Sequence, residues 1–184
     1  MKTPTIEELK AIAAKKGYKW LPFQLVNIRS AADAPNQFDD IMGVVHDDMI
    51  TWHTGTTNPG VHWLLNFMNP KGTAVLAEGQ HLNSWVIGKH KGQYKALVQY
   101  APVPVYRDNN KNKKSEQIGK AIYGNYGINH HRANSGAISK IIDKWSAGCQ
   151  VRNNPNEFNE FMTLCENSGV KYFSCILFNE KDFL

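Results

Sequence analysis

The chain lacks several features that identify common classes of small protein. Its three cysteines form no CxxC pair, which argues against a disulfide framework and against a zinc site built on thiolates. No HExxH motif is present, and no run of about 18 apolar residues is long enough to span a bilayer. We therefore expect no metal, no cofactor and no membrane insertion.

The charge balance excludes little by itself. The chain has 21 Lys and Arg against 16 Asp and Glu, a net charge of +5 that favours anionic surroundings. No RNP-like or finger-like pattern accompanies the basic run 111–114, so we expect a solvated loop there and no nucleic-acid partner. The first residues lack the apolar run of a secretory signal. We expect synthesis in the cytoplasm and action at the cell wall or periplasm only after delivery or lysis.

The first twenty residues predict a helical appendage. Thr5 and Glu8 have the spacing of a capping box, and apolar residues then recur at helical spacing until Gly17. We expect a helix over 5–16, within an appendage at 1–20 that packs on a main domain at 21–184.

The main domain is predicted to be mainly β, sandwich-like or barrel-like, with a few helices. Short β-type runs are separated by turn residues rather than by regular helices, which argues against a doubly wound α/β fold. A helix is expected to open at Asn154-Pro155 and to end at Gly169. The expected strands are 24–28, 43–53, 74–77, 84–87, 94–100, 103–107 and 172–178.

The three cysteines differ in their surroundings. Cys165 falls on the apolar stripe of the second helix and Cys175 within the last strand, as buried small hydrophobes do. Cys149 instead follows Ser-Ala-Gly, small residues that let a carbonyl approach the sulfur and leave backbone N–H groups free for an oxyanion. An ordinary tight turn has the same composition, so catalysis by Cys149 needs a second indication.

A nearby histidine supplies that indication. A thiol with a pKa of about 8.5 is only about 3% ionised at pH 7, whereas an imidazole that lowers the pKa to about 6 makes it roughly 90% thiolate. His130 and His131 stand closest before Cys149, with His131 eighteen residues upstream. Alternate residues of a strand face opposite sides, so Asn129 and His131 would share one face and only one histidine can meet Cys149.

These residues resemble a known signature. Ile-Asn-His-His-Arg-Ala, followed by Trp-Ser-Ala-Gly-Cys-Gln-Val, is similar to the active-site pattern of the L,D-transpeptidase (YkuD-type) catalytic domain, especially its small phage and Bacteroidetes-type members. The similarity is strong over residues 127–152. It implies a β-rich L,D-transpeptidase-type catalytic domain at 21–184, peptidoglycan stem peptides as substrates and a thioacyl-enzyme intermediate.

The resemblance also implies roles for individual residues. Cys149 is the expected nucleophile and His131 the base. Ser146 and Gly148 would shape the turn, with backbone N–H groups near Gly148 and Cys149 forming the oxyanion hole. Arg132 replaces the glycine that follows the family's histidine.

Five further residues are candidates for substrate binding. Arg152, one place after the family's basic position, is a candidate carboxylate clamp, and Trp145 a candidate cleft wall. His53 precedes a loop rich in Gly, Thr and Asn that suits a polar substrate, although a simple β-turn loop has the same composition. His130 and Arg132 complete this set.

The expected activity is that of a cysteine peptidase, an endolysin-like L,D-endopeptidase or carboxypeptidase that hydrolyses stem peptides. An L,D-transpeptidase that forms or exchanges crosslinks is the first alternative. A non-catalytic wall-binding protein that retains the fold is a second. A zinc hydrolase using His53, His81 or His90 is a third, although His90 is expected at the surface in a hairpin turn.

Overall fold

Strands dominate the fold. The computed structural model describes residues 2–32 and 34–184, with 37% of the chain in strands and 18% in helices. The predicted mainly β class with few helices is thereby confirmed. The helices are α1 (Ile6–Lys15), α2 (Val61–Leu65) and α3 (Pro155–Asn167), with a 3₁₀ turn at Glu180–Phe183. The strands are β1 (Gln24–Arg29), β2 (Asp40–His46), β3 (Met49–Thr56), β4 (Thr73–Leu76), β5 (Gly79–His90), β6 (Tyr94–Gln99), β7 (Val103–Asp108), β8 (Ile122–Gly124), β9 (His130–Arg132), β10 (Gln150–Arg152) and β11 (Phe173–Asn179).

Eight strands close into a barrel in the order β1-β11-β5-β6-β9-β10-β3-β2. Closure pairs every strand of this sheet on both sides, so the barrel has no free edge. Two pairs are parallel, β1 with β11 and β9 with β10, and the other pairs are antiparallel. The remaining strands form a separate small sheet in the order β4-β7-β8.

Both faces of β1 are buried because a helix packs on each of them. Leu25 of β1 belongs to the cluster that includes Phe158 and Phe161 of α3, whereas its neighbour Val26 belongs to the cluster that includes Leu9 of α1. Successive strand residues point to opposite faces, so β1 shows no polar alternation and all six of its residues are buried.

The two long helices begin where local sequence signals place them. Thr5 caps α1 in a capping box with Glu8, and Asn154 caps α3, which has Pro155 in its first turn. Leu9 is fully buried in one cluster with Val26 and Ile28 of β1, so α1 packs on the barrel wall. None of the helices that the structure describes combines the length and the apolar character needed to cross a membrane.

Two strand predictions need correction. The single strand expected over 43–53 is the hairpin β2–β3, because Asp47 and Asp48 adopt positive φ angles of 48° and 58° and reverse the chain. Two such residues are what a tight hairpin turn requires. The strand expected over 84–87 is the middle of the 12-residue β5, whose first half carries polar residues that mask the β pattern.

Candidate active site

The parallel pair β9–β10 positions the predicted site. His130 lies beside Gln150 and His131 beside Val151, and the Asn129 carbonyl accepts the Gln150 N–H at 2.9 Å. Side chains alternate along both strands, so His131 and His130 point to opposite faces. His131 stacks on His90, and His130 packs against Trp85.

Ser146 and Gly148 build the turn that carries Cys149. The Ser146 hydroxyl accepts the Gly148 N–H at 3.1 Å and donates to the Cys149 carbonyl at 2.8 Å. Gly148 has a φ of 122°, and a Cβ there would lie 2.5 Å from the Ala74 carbonyl oxygen. A residue with a side chain would therefore clash with β4, which explains why glycine stands at this position.

The hydrogen bonds of this turn change the expected oxyanion hole. Ser146 already accepts the Gly148 N–H, so that group is not free to stabilise an oxyanion. Of the N–H groups of Gly148 and Cys149, only that of Cys149 remains a candidate for the oxyanion hole. An incoming carbonyl would therefore have to approach from the side of Cys149 itself.

The Cys149 thiol rests in its neutral form. Its side chain is half-buried, its Sγ donates to the Gly127 carbonyl at 3.3 Å, and the Asn129 N–H lies 3.5 Å from the sulfur. Burial raises the pKa of the Cys149 thiol, and the Asn129 N–H only partly offsets this. The expectation of an imidazole that lowers this pKa is not met. Cys165 and Cys175 are buried, and burial raises the pKa of each to about 12.

His131 is a neutral imidazole with a defined tautomer. Its Nδ1 lies 2.7 Å from the Arg132 carbonyl oxygen, which can only accept, so Nδ1 carries the proton and Nε2 has the free lone pair. Burial first, and then the charge of His90, lowers the pKa of His131 to about 3. The ring is therefore neutral at pH 7, with Nε2 unprotonated.

Three residues around His131 were not predicted as part of the site. His90 is not at the surface: its ring is buried and stacks on His131 at 3.9 Å. Its Nδ1 accepts the Asn129 side-chain N–H at 3.1 Å. The Tyr94 hydroxyl lies 3.4 Å from His131 Nδ1 and donates to the Arg132 carbonyl at 3.2 Å. Burial is the main cause of the raised pKa of Tyr94, and the charge of Cys149 adds to it.

A cavity of about 770 Å³ opens beside His131. Trp145, with 41% of its surface exposed, and Arg132 line this cavity together with Tyr94 and His131. The Arg132 guanidinium stacks 3.9 Å above the Tyr94 ring, which restricts its position. Two of the five predicted substrate-binding residues therefore lie where a substrate could contact them.

The other three predicted substrate-binding residues need correction because they lie in the interior. His130 is fully buried with its ring 4.7 Å from that of Trp85. Arg152 is fully buried with its guanidinium 3.6 Å above the Phe161 ring, and its Nε donates to His53 Nδ1 at 3.1 Å. His53, itself buried, contacts Glu160 through Nε2. None of these three exposes a surface that a substrate could bind.

Within residues 2–32 and 34–184, no three His, Cys, Asp or Glu side chains lie close enough together to hold a metal ion. The histidines of the zinc alternative therefore form no ligand set. No protein-family model matches the chain, and the comparisons with curated proteins and with solved structures found no similar chain.

Proposed function

We propose that the chain is a cysteine-dependent acyl-transfer enzyme that acts on peptidoglycan stem peptides and passes the acyl group to water. The observation that carries this proposal is the position of Cys149 Sγ, 3.5 Å from the Asn129 N–H, next to the strand whose His131 lines an open cavity. A half-exposed thiol and a neutral imidazole with one free nitrogen are the parts that nucleophilic catalysis requires. The other two thiols are buried, and so have no access to a peptide.

The protonation states favour transfer of the proton during attack rather than a preformed ion pair. Burial disfavours both the thiolate of Cys149 and the imidazolium of His131. We propose that the thiol proton moves to His131 Nε2 as Sγ attacks the scissile carbonyl, and that the Cys149 N–H stabilises the oxyanion. Because the buried imidazolium is a strong acid, it passes its proton readily to the leaving amine.

The charges around the cavity favour an anionic peptide. Lys91, Arg132 and Lys144 line it, and Asp143 is the acidic residue among its described lining. This surplus of positive charge attracts substrates that carry carboxylates. Stem peptides have this character, and the protein would meet them at the cell wall after delivery or lysis.

The test is incubation with purified muropeptides in water enriched in ¹⁸O, followed by mass spectrometry. Hydrolysis is expected to shorten or uncouple stem peptides and to place ¹⁸O in the new carboxyl group, whereas an amine acceptor yields new crosslinked masses without it. Cys149→Ala should lower turnover by several orders of magnitude, and Cys165→Ala is the matched control that retains it. A Cys149→Ala protein within about tenfold of the parent would refute the proposed nucleophile.

A further inference from the structure

The turn that carries Cys149 rests on the small sheet. A Cβ on Gly148 would lie 3.1 Å from the Ala74 Cβ, so the turn contacts the face of β4 to which the Ala74 side chain points. Ala74 pairs with Arg107 of β7 in antiparallel register. Directly opposed residues of an antiparallel pair place their side chains on the same face of the sheet. Arg107 therefore projects on the same face as the turn.

A second cavity lies on this flank of the turn. It has a volume of about 340 Å³, and its lining includes Ala147 of the turn, Arg107, Tyr126 and Trp63. Arg107 is the one charged side chain among its described lining residues. The volume falls within the range of about 300–1,000 Å³ that is usual for small-ligand sites. This cavity is distinct from the one beside His131, since the two share no described lining residue.

Arg107 is held in place without a carboxylate partner. Its guanidinium lies 4.6 Å from the centre of the Tyr126 ring, and its Nη1 donates to the Gly72 carbonyl at 3.2 Å. Among the residues that the structure describes, no Asp or Glu forms an ion pair with it. A guanidinium has five N–H donors in a planar fork that matches a carboxylate. Among the described residues, Arg107 donates only from Nη1, to the Gly72 carbonyl, so its other donors are available for a carboxylate.

We propose that Arg107 binds a carboxylate on the acyl-donating part of the substrate, the part that becomes the thioester on Cys149. This role presupposes that Cys149 acts as proposed above. In that step the Sγ–C bond forms, the C–N bond breaks, and the thiol proton leaves with the amine through His131. The amine therefore departs on the His131 side, and the acyl part extends across the turn toward Arg107. Arg107 then has the carboxylate-binding role that we expected of Arg152 from the sequence, whereas Arg152 is buried.

Two matched acyl donors test this assignment. The phenyl thioesters of glutaric acid and glutaramic acid differ only in a carboxylate or carboxamide, and exchange with the Cys149 thiol releases thiophenol and leaves a mass increment on the protein. The parent should react at least about tenfold faster with the carboxylate donor, as expected for charge-assisted hydrogen bonds. Arg107→Gln should lower that rate to within about twofold of the carboxamide rate, and Arg107→Lys should give an intermediate rate because it retains charge without the fork.

Lys120→Gln, at an exposed cation that lines neither cavity, is the matched control and should keep the carboxylate preference. Arg132→Gln tests the cavity beside His131 instead. Loss of the carboxylate preference in Arg132→Gln but not in Arg107→Gln would overturn the assignment. Equal rates for the two donors in the parent would also overturn it, even if Arg107→Gln does not fold, and would leave the nucleophile standing. If neither donor acylates Cys149, the proposed function itself fails, and the role of Arg107 fails with it.

Discussion

Acid should unfold this protein cooperatively because most of its histidines are buried in their neutral form. Five of the seven are buried, and burial is the first cause that lowers the pKa of each. The folded pKa is about 3 for His53 and His131, about 4 for His81 and His90, and well below the usual value for His130. The unfolded value is about 6.5. The stabilisation is therefore fully present above pH 6.5 and is lost as the pH falls toward 4.

The size of the pH effect on stability follows from how many more protons the unfolded chain binds than the folded protein does. Each additional proton bound by the unfolded chain changes the unfolding free energy by about 1.4 kcal/mol per pH unit. Three carboxyls oppose this loss of stability, because their pKa values are raised in the folded state. They are Asp39, whose pKa is raised to about 6, Asp40 and Asp108. If these carboxyls offset one to two of the five protons, roughly 4–5 kcal/mol is lost per pH unit near pH 5.5. A domain with about 5–15 kcal/mol of stability then unfolds between about pH 6 and pH 4.

Urea unfolding followed by tryptophan fluorescence, repeated in steps from pH 7.5 to 4.5, measures this dependence. His130→Leu should reduce the slope by about one proton, or 1.4 kcal/mol per pH unit, because it removes one buried site and no hydrogen bond among the described residues. His62→Gln, at a histidine outside the buried group, is the matched control against which the change of slope in His130→Leu is judged. A parent slope below about 1.4 kcal/mol per pH unit would refute the reasoning.

Cys149 should react with iodoacetamide before Cys165 and Cys175, and its rate should keep rising above pH 9 because burial raises its pKa. Peptide mapping tests the order, and a rate plateau below pH 8 would contradict the neutral resting thiol. Ser146→Ala should cost about 1–3 kcal/mol, since it leaves a buried N–H without its acceptor, and an unchanged urea midpoint would count against that contact. Leu9→Ala should cost about 2–5 kcal/mol in a single transition, because this side chain is fully buried against β1. A separate early transition of α1 would show instead that the helix unfolds on its own.

The features predicted correctly from the sequence are those fixed by neighbours along the chain. The start of α1 depends on Thr5 and Glu8, and that of α3 on Asn154 and Pro155, so a few residues suffice. The β2–β3 turn was missed because Asp-Asp lacks the glycine that usually marks such a turn.

In the candidate site, too, only the part formed by neighbours along the chain could be predicted from the sequence. Ser146, Gly148 and Cys149 form one local turn, and its composition indicated its geometry. His90 and Tyr94 reach His131 from a hairpin some forty residues earlier, through a strand pairing that no local pattern fixes. The interior position of Arg152 also depends on the whole fold, because an arginine is seldom fully buried without its partners.

The strand β10 limits how this turn could be transplanted into another protein. It joins the open end of the turn to Arg152, whose charge is buried over Phe161 and bonded to His53. A graft of residues 146–152 alone would carry a guanidinium into a host core that has no imidazole or aromatic ring to receive it, at a cost of several kcal/mol. The smallest portable unit therefore includes β3 and α3 as well as the turn, because His53, Glu160 and Phe161 must be grafted together with Cys149.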